Sequence, residues 1–142
     1  MIFRRNESFR YTFKSPLECQ YKIIKIEGLS LCSDFGSGQI IDISPGGMKL
    51  MTPLNLWNSN KKVEIEIHFS LDNHPFQISG HLRWQKEAYQ NGHYFYGVLF
   101  DHSAEISSKI TELLKSHVRR MLQTERKDHL HEDKFIMYSK RK

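Results

Sequence analysis

The sequence has no apolar run long enough to cross a membrane, and it has only two cysteines. Cys19 and Cys32 stand apart, so the metal and redox motifs that need closely paired cysteines are excluded. The first residues are basic but no apolar stretch follows them, so no signal peptide is predicted. Two reduced thiols and no membrane span together predict a cytoplasmic protein.

The motifs of common enzymes and metal sites are missing as well. No Gly-x-Ser-x-Gly elbow surrounds Ser44, and no histidine stands near it in sequence to act as a base. No Walker loop or dinucleotide fingerprint occurs. The eight histidines show no zinc-ligand spacing, and His129 and His131 fall in a charged segment that is typical of a solvated tail. We therefore predict that the protein is not an enzyme and that it holds no metal or cofactor.

The size and charge of the chain restrict its partners. A chain of 142 residues with 39% hydrophobic and 26% charged residues is typical of one globular domain. The net charge of +5 is uneven: residues 1–14 carry +3, residues 15–118 carry −2 and residues 119–142 carry +4. A nucleic-acid-binding barrel is expected to carry positive charge on its folded face. The slightly acidic body therefore argues against a nucleic-acid partner.

Short alternating segments separated by turn-rich clusters run from about residue 17 to 101. Residues 63–69 and 76–84 alternate most clearly, which predicts half-buried antiparallel strands, and Gly80 is a candidate bulge. Turns are predicted at 33–38, 58–61, 72–75 and 90–92. Several short strands at this spacing indicate an antiparallel barrel. The three aromatic residues on its strands that could stack on a base are expected to be core or rim residues instead: Trp84, Tyr94 and Tyr96.

The spacing of apolar residues becomes helical after residue 103. Ile106, Ile110 and Leu113 begin a stripe that predicts one amphipathic helix, which we expect to pack on the barrel. The chain is therefore divided into a flexible arginine-rich arm, a barrel, a C-terminal helix and a mobile basic tail. Their predicted bounds are 1–14, 15–102, 103–126 and 127–142.

The most informative segment for function is Ile40 to Lys49, which predicts a strand that ends in a tight turn. Pro45 and Gly46 occupy the central positions that a type II turn prefers. Asp42 and Ser44 are two residues apart, so on a strand they share a face. Gly47 has no side chain and would allow a ligand to approach the backbone closely. A carboxylate, a hydroxyl and bare backbone thus converge at one strand end.

Three segments of the chain resemble the PilZ domain family of bacterial cyclic di-GMP receptors. Asp42, Ser44 and Gly47 match the family motif Asp/Asn-x-Ser-x-x-Gly in full. Residues 94–100 look like the aromatic-Gly-Val-x-Phe strand that closes many of its barrels. The family motif Arg-x-x-x-Arg is met only loosely, because four residues separate Arg5 from Arg10. Together these segments cover roughly residues 4 to 102.

The resemblance implies a six-stranded antiparallel β-barrel with a C-terminal α-helix and a site for cyclic di-GMP. Arginine forks suit phosphate or the O6/N7 edge of guanine, and a carboxylate suits the N1 and N2 donors of guanine. The residues expected to bind the ligand are Arg4, Arg5, Arg10, Asp42, Ser44, Gly46 and Gly47. The arm is expected to fold over the nucleotide while the strand end holds its other side.

The resemblance also implies a role in signalling to a downstream protein that controls motility, exopolysaccharide synthesis or biofilm formation. Two alternatives stay open: a PilZ-shaped adaptor that acts by protein contact without binding nucleotide, and a small basic barrel that binds nucleic acid. A homodimer is compatible with the sequence.

Overall fold

The computed structural model describes residues 10–56, 61–88, 92–101 and 104–136, which form seven strands and one helix. The strands are β1 (Tyr11–Ile26), β2 (Leu29–Ser30), β3 (Gly36–Ser44), β4 (Gly47–Thr52), β5 (Val63–Leu71), β6 (His74–Glu87) and β7 (Tyr94–Phe100). The helix is α1 (Ala104–Ile136). Within these ranges no helix has both the length and the apolar character of a membrane span.

Six of the strands close into an antiparallel barrel. Their order around the sheet is β1-β3-β4-β7-β6-β5, and β5 pairs back onto β1. The two-residue β2 pairs only with the end of β1. The predicted six-stranded antiparallel barrel with a C-terminal helix is therefore confirmed.

The long strand β1 closes the barrel because it has partners on both sides. Its first half pairs with β3 and its second half with β5. The alternating segments predicted from sequence begin only at about residue 17, since Pro16 and an irregularity between Thr12 and Leu17 interrupt the strand upstream. Residues 11–14, predicted to belong to the arm, lie in this strand.

Apolar side chains that alternate along the strands fill the core. In β5 every second residue is buried and the intervening side chains are half-buried or exposed, as the sequence pattern predicts. The buried residues of this strand are Val63, Ile65, Ile67, Phe69 and Leu71.

The tight hairpin loop between β5 and β6 contacts the helix. Asp72 and Asn73 both have positive φ, 53° and 68°, as a two-residue type I′ loop requires. A turn is predicted here from sequence, at 72–75. The Asp72 carboxylate lies 3.0 Å from Nδ1 of His117, which is buried on α1.

The first half of α1 packs against the barrel. Ile110 and Leu114 belong to the buried core, and the rings of Tyr11 and Phe13 lie 5.1 and 6.0 Å from the imidazole of His117. The predicted packing of the apolar stripe on the barrel is therefore confirmed.

The helix continues to Ile136, beyond the predicted end near residue 126. The apolar spacing becomes irregular after Leu122, so the pattern gave no reason to extend the helix. Residues 127–136 nevertheless contain neither proline nor glycine, the residues that most strongly oppose a helix.

Gly80 is predicted to be a candidate bulge, but the irregularity of β6 toward β7 lies between Leu82 and Trp84 instead. Gly80 stays in register with both neighbouring strands. A Cβ atom there would lie 2.5 Å from the Leu99 carbonyl oxygen. The glycine thus permits the close approach of β6 and β7 rather than a bulge.

A buried tyrosine fastens the segment after β4 to the barrel. The Tyr96 hydroxyl donates to the Leu54 carbonyl at 2.7 Å and accepts from the Leu56 N–H at 2.7 Å. Burial raises the pKa of Tyr96 to about 12, above its ordinary value of 10.0. Because the unfolded chain ionises at the lower pH, this group stabilises the fold fully below pH 10 and loses that effect as the pH rises toward 12.

Replacing Tyr96 with Phe should lower the free energy of unfolding by about 1–3 kcal/mol at pH 8, since the Leu54 carbonyl and the Leu56 N–H lose their partner. Urea denaturation followed by circular dichroism measures this change. The loss of stability above pH 10 should also be shallower in Tyr96→Phe than in the parent chain.

Tyr94→Phe is the matched control, because no hydrogen bond to the Tyr94 hydroxyl is found in the described part of the chain. It should unfold within about 0.5 kcal/mol of the parent chain. Equal stabilities of the two variants would contradict the anchoring role of Tyr96.

Candidate functional site

Asp42 faces outward because β3 has a bulge just before it. The register with β4 shifts between Ile40 and Asp42. As a result Ile40 and Ile43 are both buried although they are three residues apart, and Asp42 lies between them with its side chain 14% exposed. Lys49 on β4 lies opposite it in the ladder.

Arg10 lies against Asp42, although 32 positions separate them in sequence. Arg10 stands directly before β1, and Thr12 of that strand pairs with Asp42. The pairing brings Nη1 of Arg10 to 2.6 Å from Oδ1 of Asp42, and the arginine side chain stays 55% exposed. The structure thus joins two of the predicted binding residues. Arg4 and Arg5 lie outside the described residues.

The Arg10–Asp42 pair lies at an open groove on the outer surface of the barrel. The groove has a volume of about 590 Å³. Its lining comes from β3, β4, β6 and β7 and from the residue before β1. The charged and aromatic residues of this lining are Arg10, Asp42, Lys49, Arg83 and Trp84, and the β7 residues, Gly97 among them, are uncharged and non-aromatic.

Trp84 presents its indole to this groove and is 43% exposed. Because it falls on a strand, Trp84 is predicted to be a core or rim residue, and strict alternation would place it on the same face as the buried Leu82. The bulge between the two reverses the alternation. The indole lies across Gly97, where a Cβ atom would collide with it. Tyr96, by contrast, is a core residue as expected.

Two cationic residues of the groove were missed by sequence reasoning. Lys49 holds its Nζ 4.5 Å from the centre of the Phe95 ring, and Arg83 is exposed beside Trp84. The adjacent Arg83 and Trp84 are the signal that was available, because an arginine next to an exposed aromatic suits a phosphate next to a base. The bulge places Arg83 and Trp84 at the same groove, and the alternation of apolar and polar residues does not reveal that bulge.

Ser44 does not line the groove. It is buried, and its Oγ donates to the Gly47 carbonyl at 3.4 Å, across the turn that joins β3 and β4. Gly46 does not have the positive φ that a type II turn requires, so the predicted turn type is wrong. Ser44 and Gly47 instead pair directly, and the ladder continues up to a two-residue loop.

The absence of a side chain at Gly47 serves the barrel. A Cβ atom there would collide with the carbonyl oxygen of Val98 on β7. From the sequence, Gly47 is predicted to let a ligand approach the backbone closely. In the structure the neighbouring strand β7 approaches the backbone at this position, so the pairing of β4 with β7 requires the glycine independently of any ligand.

The chemistry available at the groove is that of binding. A carboxylate acceptor, three cationic side chains and one exposed indole face a common volume. Among the residues described by the structure, no three His, Cys, Asp or Glu side chains are placed to share a metal ion. The arrangement suits an anionic ligand that carries flat rings with hydrogen-bond donors.

Comparison with known proteins gives one family and one fold. The PilZ domain family matches residues 3–120. The PilZ domain with cyclic di-GMP of YcgR from Escherichia coli is similar in structure, with a TM-score of 0.61 and 14% identity, over 87% of this chain and 99% of that one. The PilZ domain of CeSA from a cellulose-synthesizing bacterium has a TM-score of 0.53 and 15% identity, over 77% of this chain and 97% of that one. The structure of K. pneumonia MrkH in its apo state has a TM-score of 0.57 and 17% identity, over 89% of this chain and 56% of that one. No curated protein matches the chain in sequence.

The two adjacent glycines of the turn should respond differently to alanine. Gly47→Ala should lower the free energy of unfolding by about 1–3 kcal/mol, because its new methyl group meets the Val98 carbonyl. Gly46→Ala is the control, since nothing lies within 4 Å of a Cβ atom at that position. Its stability should stay within about 0.5 kcal/mol of the parent. Thermal or urea unfolding of both variants measures the difference, and equal losses would contradict the steric role of Gly47.

Proposed function

This chain belongs to the PilZ domain family, and we propose that it is a receptor for cyclic di-GMP that passes the signal to a partner protein. The observation that carries the proposal is the groove itself. Asp42 of the family motif faces it together with Arg10 and the exposed Trp84. The cyclic di-GMP in the similar YcgR structure is consistent with this assignment.

Asp42 and Arg10 divide the recognition of the nucleotide between base and phosphate. The Asp42 carboxylate can accept from the N1 and N2 donors of a guanine, which adenine does not offer in the same arrangement. The contact with Asp42 at 2.6 Å engages one Nη of Arg10. The remaining N–H groups of this exposed guanidinium stay free for a phosphate oxygen. The pair can therefore hold a guanine and its phosphate together.

Trp84 supplies the flat surface that a purine base requires. Its indole is 43% exposed at the groove and is held by the contact across Gly97. Stacking of a base on an aromatic side chain contributes about 1–3 kcal/mol. A base on the indole would cover apolar surface that otherwise faces water.

The other predicted residues have roles at the margin of the groove. Ser44, Gly46 and Gly47 form the turn that ends β3 and keeps Asp42 in register. We propose that Arg4 and Arg5, which precede Arg10 in the chain, reach the same dianionic ligand. Ordering of this arm on binding would then create a surface for the partner protein. By its resemblance to the family, that partner would control motility, exopolysaccharide synthesis or biofilm formation.

Calorimetric titration with cyclic di-GMP tests the base-recognition role of Asp42. Asp42→Ala should weaken binding by about 1.5–3 kcal/mol, roughly ten- to hundredfold, because it removes a charged acceptor from the guanine donors. Arg10→Ala and Arg5→Ala should each cause a loss of similar size. Asp34→Ala, an exposed acid in the β2–β3 loop, is the control and should bind like the parent.

The same titrations separate the two alternative functions. A parent chain that is folded but binds neither cyclic di-GMP nor GTP would contradict the receptor function and favour the adaptor. Binding of an oligonucleotide with an affinity that falls steeply with salt would favour the nucleic-acid barrel.

Trp84 should report binding through its own fluorescence. The chain has two tryptophans, so a Trp57→Phe variant leaves Trp84 as the sole indole. Cyclic di-GMP should shift or quench its emission. Trp84→Ala should weaken binding by about 1–3 kcal/mol, and Trp84→Phe by less, since a smaller ring remains. Unchanged emission on saturation would contradict the stacking role.

A further inference from the structure

Arg83 occupies the bulge of β6 and is aimed at the groove by it. Leu82 pairs with Val98 and Trp84 pairs with Gly97, so Arg83 is the extra residue with no partner opposite it on β7. Bulges redirect side chains in this way, often beside binding sites. Both Arg83 and Trp84 are exposed as a result, and both line the groove.

Arg83 is also the groove cation for which no hydrogen bond, ion pair or ring contact is found among the described residues. Arg10 forms the ion pair with Asp42, and Lys49 lies over the ring of Phe95. The described ranges contain no hydrogen-bond or ion-pair partner for the Arg83 guanidinium. Because Arg83 lines the groove, its N–H donors are available to a ligand there, and their forked arrangement fits two oxygens of one phosphate.

The spacing of the arginines before β1 suggests why the groove would need a further guanidinium. Four residues separate Arg5 from Arg10, one more than the family motif has. A ligand with two phosphates offers oxygens to more than one arginine, and Arg10 shares its charge with Asp42. A guanidinium on the rigid β6 wall costs less ordering than one on a preceding arm.

We propose that Arg83 is a phosphate-binding residue of the groove, which holds one phosphate of the cyclic dinucleotide while Trp84 beside it stacks on a base. This role rests on the proposed receptor function and goes beyond it, because it moves part of the phosphate recognition from the arm to β6. Binding then depends on the bulge, which places the charged and the aromatic side chain on the same face.

Calorimetric titration of three variants with cyclic di-GMP tests the assignment. Arg83→Ala should raise the Kd roughly ten- to hundredfold. Arg83→Lys should recover only part of the loss, because an ammonium keeps the charge but cannot form the paired contact. Lys86→Ala is the matched control, an exposed cation three positions along the same strand that does not line the groove. Its Kd should stay within about twofold of the parent value.

Salt dependence distinguishes a phosphate contact from a structural effect. Removing one charge pair should make the Kd of Arg83→Ala less sensitive to ionic strength than that of the parent. The melting temperatures of parent and variant should agree, since Arg83 is exposed. An unchanged Kd with an unchanged salt dependence would overturn the role of Arg83.

The variant Asp42→Ala separates this failure from a failure of the receptor function. If the parent binds, Asp42→Ala loses affinity and Arg83→Ala does not, then the groove binds nucleotide without Arg83. If the parent chain itself does not bind cyclic di-GMP, the proposed function and the role of Arg83 are both wrong.

Discussion

The two-sided pairing of β1 is the constraint on which the barrel and its groove both depend. Its first half bonds to β3 and its second half to β5, so this one strand closes the sheet. The same pairing places Thr12 opposite Asp42 and thereby brings Arg10 to the carboxylate. The groove is thus assembled by the hydrogen bonds that complete the fold.

Bulges allow the barrel to carry polar chemistry outside without opening its core. One bulge turns Asp42 outward while Ile40 and Ile43 stay buried, and another does the same for Trp84 beside the buried Leu82. Each adds one residue to one strand, so the ladder continues on both sides of it. The groove gains a carboxylate from β3 and an indole from β6, while the inward positions keep their apolar side chains.

Much of the fold was predictable because its signals are local. The alternation in β5 and the helical spacing from Ile106 onward follow directly from the two side-chain periods, 2 for strands and about 3.6 for helices. The family motif drew attention to Asp42, which the structure places at the groove. The first half of β1 was missed because an interrupted strand has no clean period. The orientation of Trp84 could not be predicted, because alternation does not reveal the extra residue that the bulge between Leu82 and Trp84 adds.

The sequence by itself determined the barrel class, the helix and the residues of one motif, because side-chain periodicity and turn chemistry act over a few neighbouring positions. Only the tertiary structure decided the partners of those residues. Whether Gly47 meets a ligand or the Val98 carbonyl depends on how closely β4 and β7 approach, and whether Arg10 reaches Asp42 depends on strand register. Register between strands that are far apart in the chain depends on which faces of both strands share the core and on where a bulge shifts the pairing, so the pattern of one segment alone does not fix it.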